Sequence, residues 1–198
     1  MKKVFIAGIH LLVHILALLF LILLYLEIIN GTLGGEPVEA VIHYLGIGAL
    51  RLLLLTLCIS PVAKHLQLGQ LNKLRRPLGL WCFTWASLHF LAWLWLDLGL
   101  DWNLIGGELV KRGYIVLGFV SWLILLTLAI TSLPVLMRRL GRHWKTLHAW
   151  IYLASMTTSI HFWWSLKSGW TEPVIYLAAL TALLLLRSSR IRTAFLPK

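Results

Sequence analysis

Six runs of apolar residues constrain this chain more than any other feature of its sequence. A transmembrane helix needs about 20 predominantly apolar residues, and a 198-residue chain with 60% hydrophobic and 13% charged residues lies outside the range of a soluble domain. The predicted fold class is therefore all-α, an integral membrane bundle of six transmembrane helices that forms one domain over residues 1–198. The predicted segments are Ile6–Ile29, Val41–Ala63, Leu78–Leu98, Tyr114–Leu136, Leu147–Leu166 and Pro173–Leu186.

The charged residues divide between the two sides that six alternating spans would create. One side receives the N-terminal lysines and the basic clusters that follow the second, fourth and sixth segments, whereas the other receives every acidic residue. Because cytoplasmic loops carry an excess of Lys and Arg, both termini are predicted to face the cytoplasm. The net charge of +11 is accordingly interpreted as a topology signal and not as a sign of nucleic-acid binding.

Two intramembrane histidines are predicted to lie at one depth. His89 follows Arg76 by thirteen residues and His161 follows Lys145 by sixteen, which places both roughly 20 Å from the inner surface. Histidines at one level on two helices are what a bis-histidine b-type haem requires. The alternative is a pair of buried histidines bonded to a backbone carbonyl or to a neighbouring serine, and a zinc site is disfavoured because carboxylate and cysteine ligands are missing at this depth.

Other histidines could form a second site on the cytoplasmic side. His148 lies thirteen residues before His161 on the same predicted helix, so the two cannot share an iron. His10 and His14 are one turn apart on the first helix. Either could complete a site with His148, both could line a flavin or quinone pocket, or they could be satisfied polar residues near a helix start.

Arg51 lies in the middle of the second predicted span, where an unpaired cation is costly. Glu39 is twelve residues away, too far along a helix for the two side chains to meet. We therefore expect the counter-charge to be a haem propionate or a flavin phosphate, both of which suit a guanidinium group. Lipid headgroups reached by snorkelling are the alternative.

Four stretches of the sequence are distinctive: NGTLGGEPVEAVIHYLG, RRPLGLWCFTWASLH, LGRHWKTLHAWIYL and IHFWWSLKS. They resemble the MsrQ (YedZ) family of haem-binding membrane subunits, part of the ferric-reductase-like transmembrane superfamily. The resemblance covers nearly the whole chain.

The resemblance implies a b-type cytochrome of the bacterial inner membrane that also binds FMN. It would pass electrons from the quinone pool or a cytosolic flavin reductase to MsrP, a periplasmic molybdopterin subunit that repairs methionine sulfoxide. The family's haem histidines fall on His89, His148 and His161, and one or two haems are expected. On charge alone, the candidates for the FMN site are the basic inner loop from Lys73 to Arg76, which includes Arg75, the Arg138–Lys145 loop, and Arg51.

Transmembrane electron transfer is therefore the predicted function. A stand-alone quinol- or metal-reducing cytochrome is the alternative within the same class. A small proton or solute transporter that uses the intramembrane histidines is the alternative from another class, and a non-redox scaffold subunit is a third.

Overall fold

The computed structural model describes residues 2–166 and 169–187, and over these ranges the chain is helical without strands. The predicted all-α fold class is thereby confirmed. A 3₁₀ helix at Gly69–Leu74 precedes α3, and a π-helix at Trp93–Asp97 continues it. Lys167, Arg190, Arg192 and Lys198, which belong to the predicted charge pattern, lie outside the described residues. The α-helices are α1 (Lys2–Asn30), α2 (Pro37–His65), α3 (Arg75–Ala92), α4 (Trp102–Lys111), α5 (Gly113–Ile130), α6 (Pro134–Leu140), α7 (His143–His148), α8 (Ile151–Ser165) and α9 (Thr171–Leu185).

The fourth helix-forming segment ends earlier than predicted. We expected it to run to Leu136, but α5 stops at Ile130. Leu133 is extended, with φ −63° and ψ 135°, because the residue before a proline is disfavoured in the helical conformation. Pro134 then begins α6, a position that suits its fixed φ and missing N–H.

Two predicted loops contain helices. The outer loop from Gly99 to Gly113 folds largely into α4, whose start is capped by Asp101, since its Oδ1 accepts the backbone N–H of Asn103 at 2.8 Å. The inner loop from Gly69 to Pro77 forms the 3₁₀ helix and the beginning of α3. Both loops are therefore more ordered than their Gly, Pro and polar residues suggested.

Four helical stretches of the described chain are long and apolar enough to cross a membrane: Val4–Asn30, Pro37–His65, Gly69–Asp97 and Gly113–Ile130. The fifth predicted segment is divided by a turn at residues 149–150, so that α8 has 15 residues, and α9 also has 15. The molecule is thus an all-helical membrane protein with at least these four candidate spans.

The chain divides into two compact units, Met1–Ile105 and Gly106–Lys198. In the first unit α2 packs along α3, and α1 also contacts α3. In the second unit α5 packs along α8, whose other neighbour is α9. Each unit is therefore built on one helical pair, and each pair carries one of the two predicted haem histidines.

The helical pair of the second unit has small residues at its centre. Ala154 and Ser155 of α8 are both 0% exposed, and Ser121 of α5 is 4% exposed. Small side chains let two helix backbones approach closely, which is how membrane helices gain packing energy without a hydrophobic driving force.

Candidate metal centre

His89 is held by the backbone of the neighbouring helix. It lies near the end of α3, half-buried, with Nδ1 2.8 Å from the carbonyl oxygen of Ile42 on α2. A carbonyl can only accept a hydrogen bond, so Nδ1 carries the proton and the lone pair of the imidazole lies on Nε2. This is the tautomer in which metal-ligating histidines are usually held by an outer partner.

His161 has the same arrangement in the second unit. It lies on α8, half-buried, with Nδ1 2.6 Å from the carbonyl oxygen of Tyr114 on α5. The same reasoning puts the proton on Nδ1 and the lone pair on Nε2. His89 and His161 are therefore both held by a neighbouring helix through Nδ1, which leaves Nε2 as the nitrogen that can ligate a metal.

His148 uses the opposite ring nitrogen. Its Nε2 lies 3.1 Å from the hydroxyl oxygen of Thr131, and that hydroxyl donates to the Thr127 carbonyl at 2.7 Å. Nε2 is therefore the donor to Thr131. The ring also stacks on Trp144, with centroids 4.0 Å apart. Ligation of a metal through Nε2 would require the contact with Thr131 to open.

His14 also differs from the two half-buried histidines. It lies on an exposed face of α1 and accepts a hydrogen bond at Nδ1 from Trp81 Nε1 of α3, at 2.9 Å. The His10 ring is 6.3 Å from it, centroid to centroid. The structure thus joins His14 to α3 through Trp81.

Three of the arginines predicted to contact a cofactor lie in the first unit. Arg51 lies on an exposed face of α2, whereas Arg75 is half-buried and Arg76 exposed at the beginning of α3. Arg51 and the Arg75–Arg76 pair therefore belong to different helices of one unit.

Three buried polar atoms on residues within about one helical turn of the half-buried histidines have no hydrogen-bond partner within the described residues. One is Nε1 of Trp85, a residue that is 4% exposed and precedes His89 by one turn. The others are Oγ1 of Thr158 and Oγ of Ser159, three and two residues before His161. An unsatisfied buried donor costs about 1–3 kcal/mol, so such atoms are expected where a ligand with polar groups binds.

A short sequence repeat relates the two histidines. Residues 87–90 read Ser-Leu-His-Phe, and residues 159–162, 72 positions later, read Ser-Ile-His-Phe. This repeat was a sequence signal that could have linked His89 to His161, but it was not among the predictions. The carbonyl partners at Ile42 and Tyr114 carried no signal, because a backbone oxygen is the same at every residue.

The two helical pairs, each presenting an imidazole from within an apolar segment, agree with a ferric-reductase type of membrane protein. A family model described as "Ferric reductase like transmembrane component" matches residues 45–159, which include His89 and His148. No solved structure shows a significant match to the chain.

Two curated relatives identify the family within this class to which the chain belongs. The chain is 43% identical over 182 residues, 91% of this chain and 92% of the relative, to the "Protein-methionine-sulfoxide reductase heme-binding subunit MsrQ" of Pectobacterium atrosepticum. It is 42% identical over 188 residues, 94% of each chain, to the protein of the same description from Pectobacterium carotovorum subsp. carotovorum. The chain therefore belongs to the MsrQ family.

Proposed function

We propose that this protein is a membrane electron carrier, and that Nε2 of His89 and Nε2 of His161 would hold its b-type haem. The observation that carries the proposal is the shared tautomer, in which each Nδ1 donates to a backbone carbonyl at 2.8 or 2.6 Å. The description of the relatives as heme-binding subunits supports it.

The residues present fit this group. Bis-histidine ligation needs two imidazoles with an Nε2 lone pair, and the Nδ1 hydrogen bonds hold both histidines in the tautomer that supplies it. The unsatisfied Trp85 and Thr158 donors are polar groups that a bound cofactor can satisfy. When bound, haem supplies reversible one-electron transfer. The chain's own residues orient the imidazoles, set their basicity through the Nδ1 hydrogen bonds and keep the ligands in an apolar environment, which tunes the potential.

For the direction of transfer we propose that electrons enter from the quinone pool or a cytosolic flavin reductase and leave to the periplasmic molybdopterin subunit MsrP.

The topology that we propose has six spans in the bacterial inner membrane, both termini in the cytoplasm and residues 1–198 acting as one domain. The segregation of basic and acidic loops supports this orientation.

FMN is the second cofactor that we propose. Its phosphate needs cationic partners, and Arg75 and Arg76 at the beginning of α3 are the clustered guanidinium groups of the first unit. Arg51 is proposed as a contact for a haem propionate or for the same phosphate, and His14 as a wall of the flavin or quinone pocket. For His148 we propose a second haem site, with the Thr131 contact opened.

The experiment is to purify the protein in detergent from haem-replete cells and to record its absorption spectrum before and after dithionite reduction. We expect a red protein with a Soret band, and we expect His89→Ala and His161→Ala each to lose the same haem almost completely. His65→Ala is the matched control, because His65 is exposed at the end of α2. A colourless wild-type protein, or full haem content in both alanine variants, would refute the proposal.

A further inference from the structure

The two units place their histidine, its carbonyl acceptor and one glycine with identical spacing. The acceptor precedes its histidine by 47 residues in both units. Gly46 and Gly118 each lie four residues after the acceptor, one helical turn further along α2 or α5. Each of these three residues in the second unit is thus displaced by 72 positions from its counterpart in the first.

The matched register extends beyond the histidines. Cys82 Sγ of α3 donates to the Ala49 carbonyl of α2 at 3.4 Å, across 33 residues. Ser121 Oγ of α5 lies 3.5 Å from the Ala154 carbonyl of α8, also across 33 residues. Ala49 and Ser121 are 72 apart, as are Cys82 and Ala154. A hydrogen bond therefore joins the two helices of each pair at corresponding positions. In the first unit the donor lies on the helix that carries the histidine, and in the second unit it lies on the other helix.

Gly118 has no room for a side chain unless the His161 ring moves, and Gly46 has very little. A Cβ added at Gly118 would lie 2.8 Å from Cε1 and 2.9 Å from Nδ1 of His161. A Cβ added at Gly46 would lie 3.0 Å from both Cε1 and Nδ1 of His89. A methyl group at either position would meet the edge of the ring that carries the hydrogen bond to the backbone.

A glycine inside a helix costs about 1 kcal/mol relative to alanine, so a glycine at each of these positions needs a structural reason. Neither has the positive φ that favours glycine, unlike Gly31 or Gly141. Space for the imidazole is therefore the reason that the structure offers at both positions.

We propose that Gly46 and Gly118 are positioning residues for the haem ligands. Each lets the imidazole lie close against the neighbouring helix, where Nδ1 reaches the carbonyl and the Nε2 lone pair is aimed in a fixed direction. This inference rests on the proposed haem ligation. It adds that the ligand geometry is set by two glycines that do not touch the iron.

The test compares Gly46→Ala and Gly118→Ala with wild-type protein by haem content, by the ferric electron paramagnetic resonance spectrum and by midpoint potential. Gly118→Ala should retain haem about tenfold less tightly, as is typical when an outer partner of a metal ligand is disturbed. Gly46→Ala, with the looser contact, should keep its haem but show shifted g values and a shifted midpoint. Should Gly118→Ala fail to accumulate, Gly46→Ala carries the test on the same readouts.

Two other glycines are matched controls. A Cβ at Gly79 of α3 would lie 4.0 Å from Thr56 Cγ2, and one at Gly107 of α4 would meet nothing within 4 Å. Gly79→Ala and Gly107→Ala should leave all three readouts at wild-type values. A red wild-type protein whose Gly46 and Gly118 variants match it in every readout would overturn this inference alone. A colourless wild-type protein would overturn the haem ligation and this inference with it.

Discussion

At the scale of single residues, the hydrogen-bond partner decides what each histidine can do. His89 and His161 donate from Nδ1 to a carbonyl, His148 donates from Nε2 to Thr131, and His14 accepts at Nδ1 from Trp81. Ordinary haem ligation uses the Nε2 lone pair, which among these four histidines only His89 and His161 have in this arrangement. The family resemblance grouped His148 with His89 and His161 as a haem histidine, whereas its hydrogen bonding uses the other ring nitrogen.

Replacing His148 with alanine should therefore leave the haem of His89 and His161 in place. Thr131→Val, which removes the acceptor of the His148 Nε2 proton without changing side-chain volume much, should have the same result. The measurement is haem per protein by the pyridine haemochrome method, and we expect at least one haem to remain in both variants. Complete loss of haem from His148→Ala would contradict the separation of the two sites.

At the scale of helices, the first unit depends on a close approach between α2 and α3. Trp85 is 4% exposed and stacks on Tyr44, with ring centroids 5.9 Å apart. Its six-membered ring lies against Gly48, where an added Cβ would be 2.0 Å from Cζ3. The absence of a side chain at Gly48 is what lets the indole pack between the two helices.

Gly48→Ala should therefore destabilise the protein. Because the indole is buried, the helices must separate or the ring must leave its rotamer, and overpacking of this kind costs about 1–3 kcal/mol. The measurement is thermal unfolding in detergent. Gly79→Ala is the control and should not lower the midpoint, and Gly48→Ala combined with Trp85→Leu should recover part of the loss. An unchanged midpoint for Gly48→Ala alone would show that α2 and α3 pack differently.

At the scale of the whole molecule, the distribution of charge predicts the orientation in the membrane. The segment between α1 and α2 carries Glu36, whereas the segment between α2 and α3 carries Lys73, with Arg75 and Arg76 following at the start of α3. Cytoplasmic loops carry an excess of Lys and Arg, so the second segment is predicted to face the cytoplasm. The orientation is therefore open to a direct test at these two segments.

Single cysteines introduced at Glu36 and Gln70, both exposed, should react differently with a membrane-impermeant maleimide. Glu36→Cys should be labelled in intact cells, and Gln70→Cys only after permeabilisation. Wild-type protein sets the background, because Cys58 and Cys82 lie within α2 and α3 and are half-buried and buried. Labelling in the reverse order would overturn the proposed topology.

The sequence by itself determined the membrane class, the existence of the main helices and the two histidines worth testing. Hydropathy is a sum over many residues, so it is robust to local error, and a histidine in an apolar run is conspicuous because its burial is costly. Helix ends were less secure. Pro134 disfavours the helical conformation at Leu133, so it would have predicted that the helix ends before Leu133 if this effect had been weighed more heavily than the apolar run that continues to Leu136.

Only the tertiary structure decided how the histidines are held. The tautomers of His89 and His161 depend on carbonyl groups 47 residues away, and the space for each ring depends on a glycine 43 residues away. Such contacts exist only once α2 lies against α3 and α5 against α8. A backbone oxygen is the same at every residue, and a glycine in a sequence does not show which side chain lies against it. The geometry that holds the two imidazoles therefore had to be read from the packed helices.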